Sequence, residues 1–399
     1  MAADDPSGAA AEVLIAGGGF AAVEAVLALR ALAGARVSLS ILAPDPVFHY
    51  RPAATAEPFD ASPSRRYDLR AIAGDLGAEF HESRLEAVAS RKHLARTAAG
   101  ARLPYASLIL ATGARSVVGV PGALTFRDQR DISLIRRLLG ELESGRARSI
   151  VFASPATAVW PLPLYELALL TARHARERQL PSEVTVVSCE REPLGLFGGQ
   201  ASRSVREMLE NAGIRFRGGG AAVSVRRNGS LALADGETIP ADRVVALPEL
   251  RARRIAGVPA KRAGFVPVDS SGRVEGLQDV YAAGDMTTFP IKQGGLAAQQ
   301  ADVVAQTITA GLGIPVKEVR APRILQTRLL GGDRALFLRT EFDWSGQPTR
   351  ATLVRADDEH AAKTAKVLGR YLVPYLETRD AVREHGHAAP GTLRPSASG

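Results

Sequence analysis

The chain has 399 residues, 46% of them hydrophobic and 23% charged, with a mean hydropathy near zero. That is long and apolar enough for two or three domains with their own cores, and it excludes a chain that is disordered throughout. A single cysteine, Cys189, excludes an internal disulfide scaffold and cysteine-rich zinc sites, no His-Glu-x-x-His pattern occurs, and no metal is expected; the net charge of +8 is spread without an arm or stripe, so no nucleic-acid partner is expected either.

In chain order, the acidic start lacks the basic and apolar regions of a signal peptide, and residues 1–11 and 388–399 are expected to be disordered ends. Glu12–Ala16 reads as a short strand, Gly17-Gly18-Gly19 as a turn, Ala21–Leu32 as a helix and Arg36–Leu42 as a second strand, together a βαβ unit. The apolar stretch Val13–Leu29 is broken by this turn and by Glu24, so no membrane span is expected and the location is read as cytoplasmic. Ala78–Tyr105 predicts a β-meander laid across the sheet, and Leu108–Ala111 another buried strand. The pattern then repeats: strand Ser149–Ala153, helix Leu164–Arg178, strand Glu183–Ser188, and a closing strand Val244–Leu247. Val280–Ala283 and the helix Gly294–Thr309 return to the first domain. Leu336–Thr340 and Ala351–Val354 read as paired strands, followed by a helix from Glu359 to Arg383.

Gly17-x-Gly19-x-x-Ala22 stands where a dinucleotide fingerprint must, between a strand and a helix. Gly17 permits the tight turn, Gly19 lets backbone approach a pyrophosphate, and Ala22 lets the helix pack close to the strand. The helix N-terminus offers the phosphates free N–H groups and positive dipole. The acidic residue expected at the end of the second strand is replaced by Ala43-Pro44; either Asp45 reaches back, or the ribose is held by backbone and water.

Three separated segments carry a resemblance: Gly17–Glu24, Leu110-Ala111-Thr112-Gly113-Ala114, and Val280-Tyr281-Ala282-Ala283-Gly284-Asp285. They resemble the FAD-dependent pyridine nucleotide–disulfide oxidoreductase superfamily. The resemblance implies an α/β fold of two Rossmann-like domains in three layers, the second inserted in the first, plus a C-terminal α+β segment. The expected bounds are 12–117 with 250–320 for an FAD-binding domain, 118–249 for the second dinucleotide-type domain, and 321–387 for the C-terminal region. Pro290–Gln300 (PIKQGGLAAQQ) is similar to the Lys-x-Gly-x-Leu/Phe-Ala-x-x-Gln segment of sulfide:quinone oxidoreductases and flavocytochrome c sulfide dehydrogenases, whose relatives include type II NADH dehydrogenases. In that branch this helix aims at the pyrimidine end of the flavin, where Lys292 would add positive charge. The implied cofactor set is Gly17, Gly19, Phe20, Ala21, Ala22, Arg51 on the pyrophosphate, Thr112, Gly113, Gly284, Asp285 on the ribitol, Gly295 and Leu296. His49 and Tyr50, beside Arg51, are read as packing residues.

Two departures bear on function. Sulfide oxidation and disulfide reduction in the family's usual way need two cysteines beside the flavin, and Cys189 stands alone, read as a small residue at a strand end. The second βαβ turn, Ala153-Ser154-Pro155-Ala156-Thr157-Ala158-Val159-Trp160-Pro161-Leu162-Pro163, has no glycine, and its three prolines remove N–H donors that a pyrophosphate would need. The prolines that end it and the Tyr165-Glu166 that follows (Pro161-Leu162-Pro163-Leu164-Tyr165-Glu166) are instead similar to the sulfide:quinone group, which places an acid, here Glu166, facing the flavin. A quinone reduced by two electrons takes up two protons, so Glu166 and Lys292 are the expected catalytic pair, with Glu166 as a proton relay of raised pKa. The expected function is an FAD-dependent oxidoreductase passing electrons from an unidentified small-molecule donor to a quinone or other small acceptor. The alternatives are an NAD(P)H:acceptor oxidoreductase with a non-standard nicotinamide site and a non-catalytic flavin-binding module that senses redox state or assembles with a partner. A homodimer stays open, as does peripheral contact with the inner membrane face through the apolar stripe of Lys366–Leu376, read as helical.

Overall fold

The computed structural model of the chain describes residues 10–52, 54–59, 65–317, 323–331, 336–355 and 367–385. Strand β1 (Ala11–Ala16) leads into helix α1 (Phe20–Ala33), and β2 (Val37–Ala43) returns parallel to β1, Val13 beside Leu39 and Ile15 beside Ile41. Ala11, expected in the disordered leader, pairs with Val37 and belongs to this sheet. Both faces of these strands are covered, which is why Val13–Ala16 reads as one apolar run with no alternation. A hairpin of β3 (Val47–Tyr50) and β4 (Arg65–Asp68), then helix α2 (Leu69–Asp75), lead to β5 (Ala78–Glu82). β5 lies parallel to β2 at the sheet edge, so the expected meander begins only afterwards, as the antiparallel β6 (Leu85–Ala89), β7 (Leu94–Thr97) and β8 (Arg102–Pro104). β9 (Ser107–Leu110) flanks β1 on its other side.

The chain leaves through β10 (Ala114–Val117) and builds a second parallel sheet. β11 (Leu124–Thr125), α3 (Ile132–Glu143), β12 (Ser149–Ala153), α4 (Leu162–Glu177), β13 (Glu183–Ser188), α5 (Gly198–Asn211) and β14 (Ile214–Gly218) follow in turn. After a small antiparallel sheet, β15 (Ala222–Val225), β16 (Leu231–Leu233) and β17 (Thr238–Ile239), strand β18 (Arg243–Ala246) completes the order β11-β18-β12-β13-β14. β19 (Glu249–Ala252) runs back antiparallel to β10, so the two crossings between sheets brace each other. β20 (Val280–Ala282) then re-enters the first sheet, giving β20-β9-β1-β2-β5. Two Rossmann-like α/β sheets in one chain is the fold class the sequence led us to expect.

Helix α6 (Gly294–Gly311) packs against α1. Alanines on both, Ala21, Ala25 and Ala28 facing Ala297, Ala301 and Ala305 in one buried cluster, let the two backbones approach closely. A third sheet of β21 (Arg323–Leu329), β22 (Leu336–Phe342) and β23 (Pro348–Arg355) puts Leu325, Leu329, Leu338 and Phe342 into the core around α4. β22 and β23 pair as expected; β21 was not foreseen.

The last described element, α7 (Leu372–His385), starts later than the expected helix. Val367–Tyr371 is turn and bend, residues 359–366 of that expectation lie outside the described residues, and so do 1–9 and 388–399. Pro374 falls in the first turn of α7, where its missing N–H breaks no helical bond. Tyr371, Leu372, Tyr375 and Leu376 are buried in the core of the first domain, so these residues of the apolar stripe, for which the sequence leaves membrane contact open, are turned inward. Among the described residues, no helix is long and apolar enough to cross a membrane.

Candidate functional site

The C-terminal ends of the first sheet's strands open into a cavity of about 620 Å³ that runs to the start of α4 in the second domain. Its glycine turn is shaped by two different constraints. A Cβ on Gly17, at φ +147°, would lie 2.1 Å from the Ala111 carbonyl oxygen, so this glycine admits the end of β9 as well as turning the chain. A Cβ on Gly19 would meet nothing within 4 Å; it would point into the cavity, the space a bound pyrophosphate needs. Gly19 is also the N-cap of α1 and supplies no side-chain acceptor, so the first N–H groups of the helix stay available to an anion. Phe20 packs edge-on to Phe48 and against Tyr50, at 5.2 and 5.5 Å between ring centres, so Tyr50 is a packing residue as read.

Asp45 does not reach back to the end of β2. Its Oδ1 accepts the Val47 N–H at 2.9 Å, and its Oδ2 lies 3.6 Å from His49 Nε2. Arg51 stands on the cavity wall with a guanidinium nitrogen 3.5 Å from Asp128. Burial alone would raise the Asp128 pKa, but hydrogen bonds from Arg130 and the charge of Arg51 hold it below the usual range. Thr112 and Gly113 form the adjoining wall, with the Thr112 N–H and hydroxyl both directed at Met286 Sδ at 3.4 Å.

Across the cavity, Gly284 and Asp285 follow β20. The Gly284 N–H donates to Gln300 Oε1 at 2.9 Å, tying this turn to α6. Burial raises the pKa of Asp285, opposed by the charges of Lys292 and Arg51. Lys292 is buried at the cavity edge, and its ammonium donates to the carbonyls of Thr287 at 2.5 Å and Phe289 at 2.6 Å, 4.2 Å from the ring centre of Phe265. Burial pushes its pKa down to about 8 against the pull of Asp285. Gln293, the N-cap of α6, accepts the Leu296 N–H at 3.0 Å and lines the cavity.

From the second domain comes Glu166, 1% exposed, on α4. Its Oε2 accepts the Thr55 hydroxyl at 2.6 Å and its Oε1 the Leu330 N–H at 3.3 Å. The cavity thus brings together Gly17, Gly19, Phe20, Ala21, Arg51, Thr112, Gly113, Gly284, Asp285, Lys292 and Glu166. Ala22, Gly295 and Leu296 stand outside its lining: Ala22 and Leu296 are core residues, and Gly295 is covered by the backbone of Leu368. Gln293, Thr55, Trp160, Thr327 and Val367 also line it and were not singled out. Gln293, Trp160 and Val367 lie in segments the sequence marks, the Lys-Gln-Gly opening of a helix, the proline-rich turn and the C-terminal stripe, but nothing in those patterns aims them at the cavity; Thr55 and Thr327 come from segments without a motif.

The proline-rich turn reaches the cavity through Ala158, Val159 and Trp160. Beyond it, the acid two residues past β13 is Glu190. Glu190 accepts the hydroxyl of the fully buried Tyr165 at 2.8 Å and that of Ser188 at 3.3 Å. Burial raises the Glu190 pKa, against the lowering effect of the Tyr165 and Ser188 hydroxyls. Cys189 is half-buried, and its N–H donates to Ser154 Oγ at 3.0 Å. Among the described residues, no cluster of histidine, cysteine and acidic residues could hold a metal ion.

The family model described as "Pyridine nucleotide-disulphide oxidoreductase" matches residues 11–301. The biphenyl dioxygenase system ferredoxin–NAD(+) reductase component of Paraburkholderia xenovorans (strain LB400) is 30% identical over 210 residues, 49% of this chain and 47% of that protein. The match therefore spans about half the length of that relative. Among solved structures, the sulfide:quinone oxidoreductase of the hyperthermophilic bacterium Aquifex aeolicus superposes with a TM-score of 0.78 at 18% identity, covering 96% of this chain and 93% of that one. A ferredoxin reductase from Rhodopseudomonas palustris gives 0.65 at 22% identity, covering 83% and 82%. An NAD-dependent persulfide reductase from A. fulgidus gives 0.60 at 17%, covering 82% and 64%. At these identities the structural likenesses establish the fold.

Proposed function

Because this chain belongs to the pyridine nucleotide-disulphide oxidoreductase family, we propose that it is an FAD-dependent oxidoreductase that takes electrons from a small donor and passes them to a quinone or another small acceptor. The observation that carries this reading is one cavity walled by the open glycine turn of α1, Thr112-Gly113, Asp285 and Lys292 from the first domain and by Glu166 from the second. When bound, the flavin supplies a ring that accepts and releases two electrons. The chain's own groups do the rest. The free N–H groups of α1 bind the pyrophosphate, with Arg51 as the nearby cation. Lys292 and the N-terminus of α6 supply positive charge at the flavin side. Glu166, steadied by Thr55, holds or passes one of the two protons a quinone takes up with its two electrons.

The second-domain turn favours a donor other than a nicotinamide, since its prolines offer few N–H groups and Glu190 is engaged by Tyr165. The NAD(P)H reading is supported by one observation, the 30% identity to a protein named as an NAD(+) reductase component. Stopped-flow spectroscopy without oxygen separates them. The photoreduced protein mixed with a short-chain quinone should recover its oxidised flavin bands quickly, and the oxidised protein mixed with NADH should bleach slowly. Fast bleaching by NADH transfers the reading to the second alternative. Failure of every acceptor to reoxidise the reduced protein contradicts both and favours a non-catalytic module.

A further inference from the structure

Helix α1 carries a carboxylate that takes no part in the cavity. Glu24 is 0% exposed, and its two oxygens accept the N–H groups of Tyr371 at 3.0 Å and Leu372 at 2.7 Å. Leu372 opens α7, so a residue of α1 caps a helix almost 350 positions further along the chain. The segment leading into α7 is fitted closely here. A Cβ on Gly369 would stand 3.2 Å from Glu24 Oε2, and one on Gly295, at the start of α6, would stand 2.9 Å from the Leu368 nitrogen. Val367, at the beginning of the segment, lines the cavity. Further along α7, Asp75 takes Tyr375 and Arg379 at 2.6 and 2.8 Å, and Asp380 takes Tyr67 and Arg65 at 2.9 and 2.7 Å.

We propose that Glu24 is a positioning residue of the cofactor site: it fastens residues 367–371 across the start of α6, so that Val367 closes the cavity wall and flavin release requires this strap to lift. The proposal rests on the flavin reading given above. The carboxylate links the helix whose N-terminus binds the pyrophosphate to the strap that covers the helix facing the flavin ring. The clasps at Asp75 and Asp380 lie further along α7 and hold the helix without touching the strap, which has one longer ion pair besides Glu24, Arg370 to Asp302 at 3.8 Å.

The strap should respond to pH. Burial pushes the Glu24 pKa up to about 7, against the lowering effect of the Tyr371 and Leu372 N–H groups, while Asp302 on α6 raises it further. Arg370, on the strap, lies 3.8 Å from Asp302 and is the cation on this face. With the strap lifted, Glu24 meets water and returns toward 4.5. The docked state therefore binds the proton more tightly. Docking is strongest below about pH 4.5, weakens as pH rises toward 7, and is constant above that.

The test compares flavin-loaded full-length wild type, Glu24→Gln and Gly369→Ala by two readouts: flavin release, followed as fluorescence on dilution, and amide hydrogen exchange of α7. Wild-type release should quicken from pH 5 to pH 7 by up to about tenfold per unit and then level off. Glu24→Gln should lose this pH profile, release flavin about tenfold faster at pH 5, and exchange faster at the start of α7. Gly369→Ala keeps the carboxylate but sets a Cβ 3.2 Å from Glu24 Oε2 and Leu372 Cβ, so it presses the strap away from α1 and should speed release in the same direction. Faster exchange in α7 with unchanged flavin release in both variants overturns the proposal while leaving the flavin reading intact. Unchanged exchange in both variants overturns the fastening role itself. A wild-type chain that takes up no flavin overturns the reading on which the proposal rests.

Discussion

Replacing Lys292 with methionine tests whether the cavity edge holds a true buried ammonium. The side chain is 6% exposed, with two carbonyl acceptors and the Phe265 ring as its partners. Its folded-state pKa of about 8, against 10.5 for a free lysine, corresponds to about 3 kcal/mol. The sign follows from proton binding. Between pH 8 and 10.5 the unfolded chain holds a proton that the folded chain has lost, so wild-type stability rises with pH through that window and is flat below it. Lys292→Met removes the charge at similar length but strands the carbonyls of Thr287 and Phe289, at about 1–3 kcal/mol each. Near pH 7 the relief and the cost are of similar size, and the urea midpoint should move little. By pH 10 the wild type should have gained on the variant by most of that roughly 3 kcal/mol. Urea unfolding of the cofactor-free chains at half-unit steps from pH 7 to 10 measures the difference, in which all other titrations cancel. A difference independent of pH refutes the buried ammonium.

The two fingerprint glycines should behave differently. Gly17→Ala drives a Cβ into the Ala111 carbonyl and should cost about 3 kcal/mol or more, read as a lowered unfolding midpoint. Gly19→Ala meets only open space and should leave stability within about 0.5 kcal/mol, yet weaken flavin binding about tenfold or more by titration. Glu166→Gln should slow quinone turnover about a hundredfold with flavin content unchanged, and unaltered turnover would remove its role. Thr55→Val should act in the same direction by about tenfold, because it releases the carboxylate from its 2.6 Å hydrogen bond.

The central parallel strands and α1, α4 and α6 were legible because buried βαβ units write themselves as apolar runs punctuated by glycine, and Ser149–Ala153 and Glu183–Ser188 agreed at both ends; the edge strands β5, β11 and β14 were not legible as such. The cavity's first-domain wall was legible for the same reason: backbone geometry at Gly17, Gly113 and Gly284 demands particular residue types. What escaped depends on contacts distant in sequence. Thr55 meets Glu166 across 111 positions, and Glu24 meets Leu372 across 348, which no local pattern records. Glu24 read as an interruption of an apolar helix, although it is the acceptor that starts another. The C-terminal stripe left its cover open, because periodicity marks an apolar face without saying what packs on it; here the core of the first domain does. Trp160 and Val367 lie on irregular segments, where position in the cavity follows from the fold alone.

The central claim is that the cavity beneath the glycine turn holds FAD. The visible absorption spectrum of the purified protein, followed by heat release and chromatography of whatever it carries, tests this directly. The account predicts the two absorption bands of a bound oxidised flavin and close to one FAD per chain, either as purified or after reconstitution. A colourless protein that takes up no FAD would contradict it, and would mean that the lost acid at Ala43-Pro44 marks a site that no longer binds a dinucleotide.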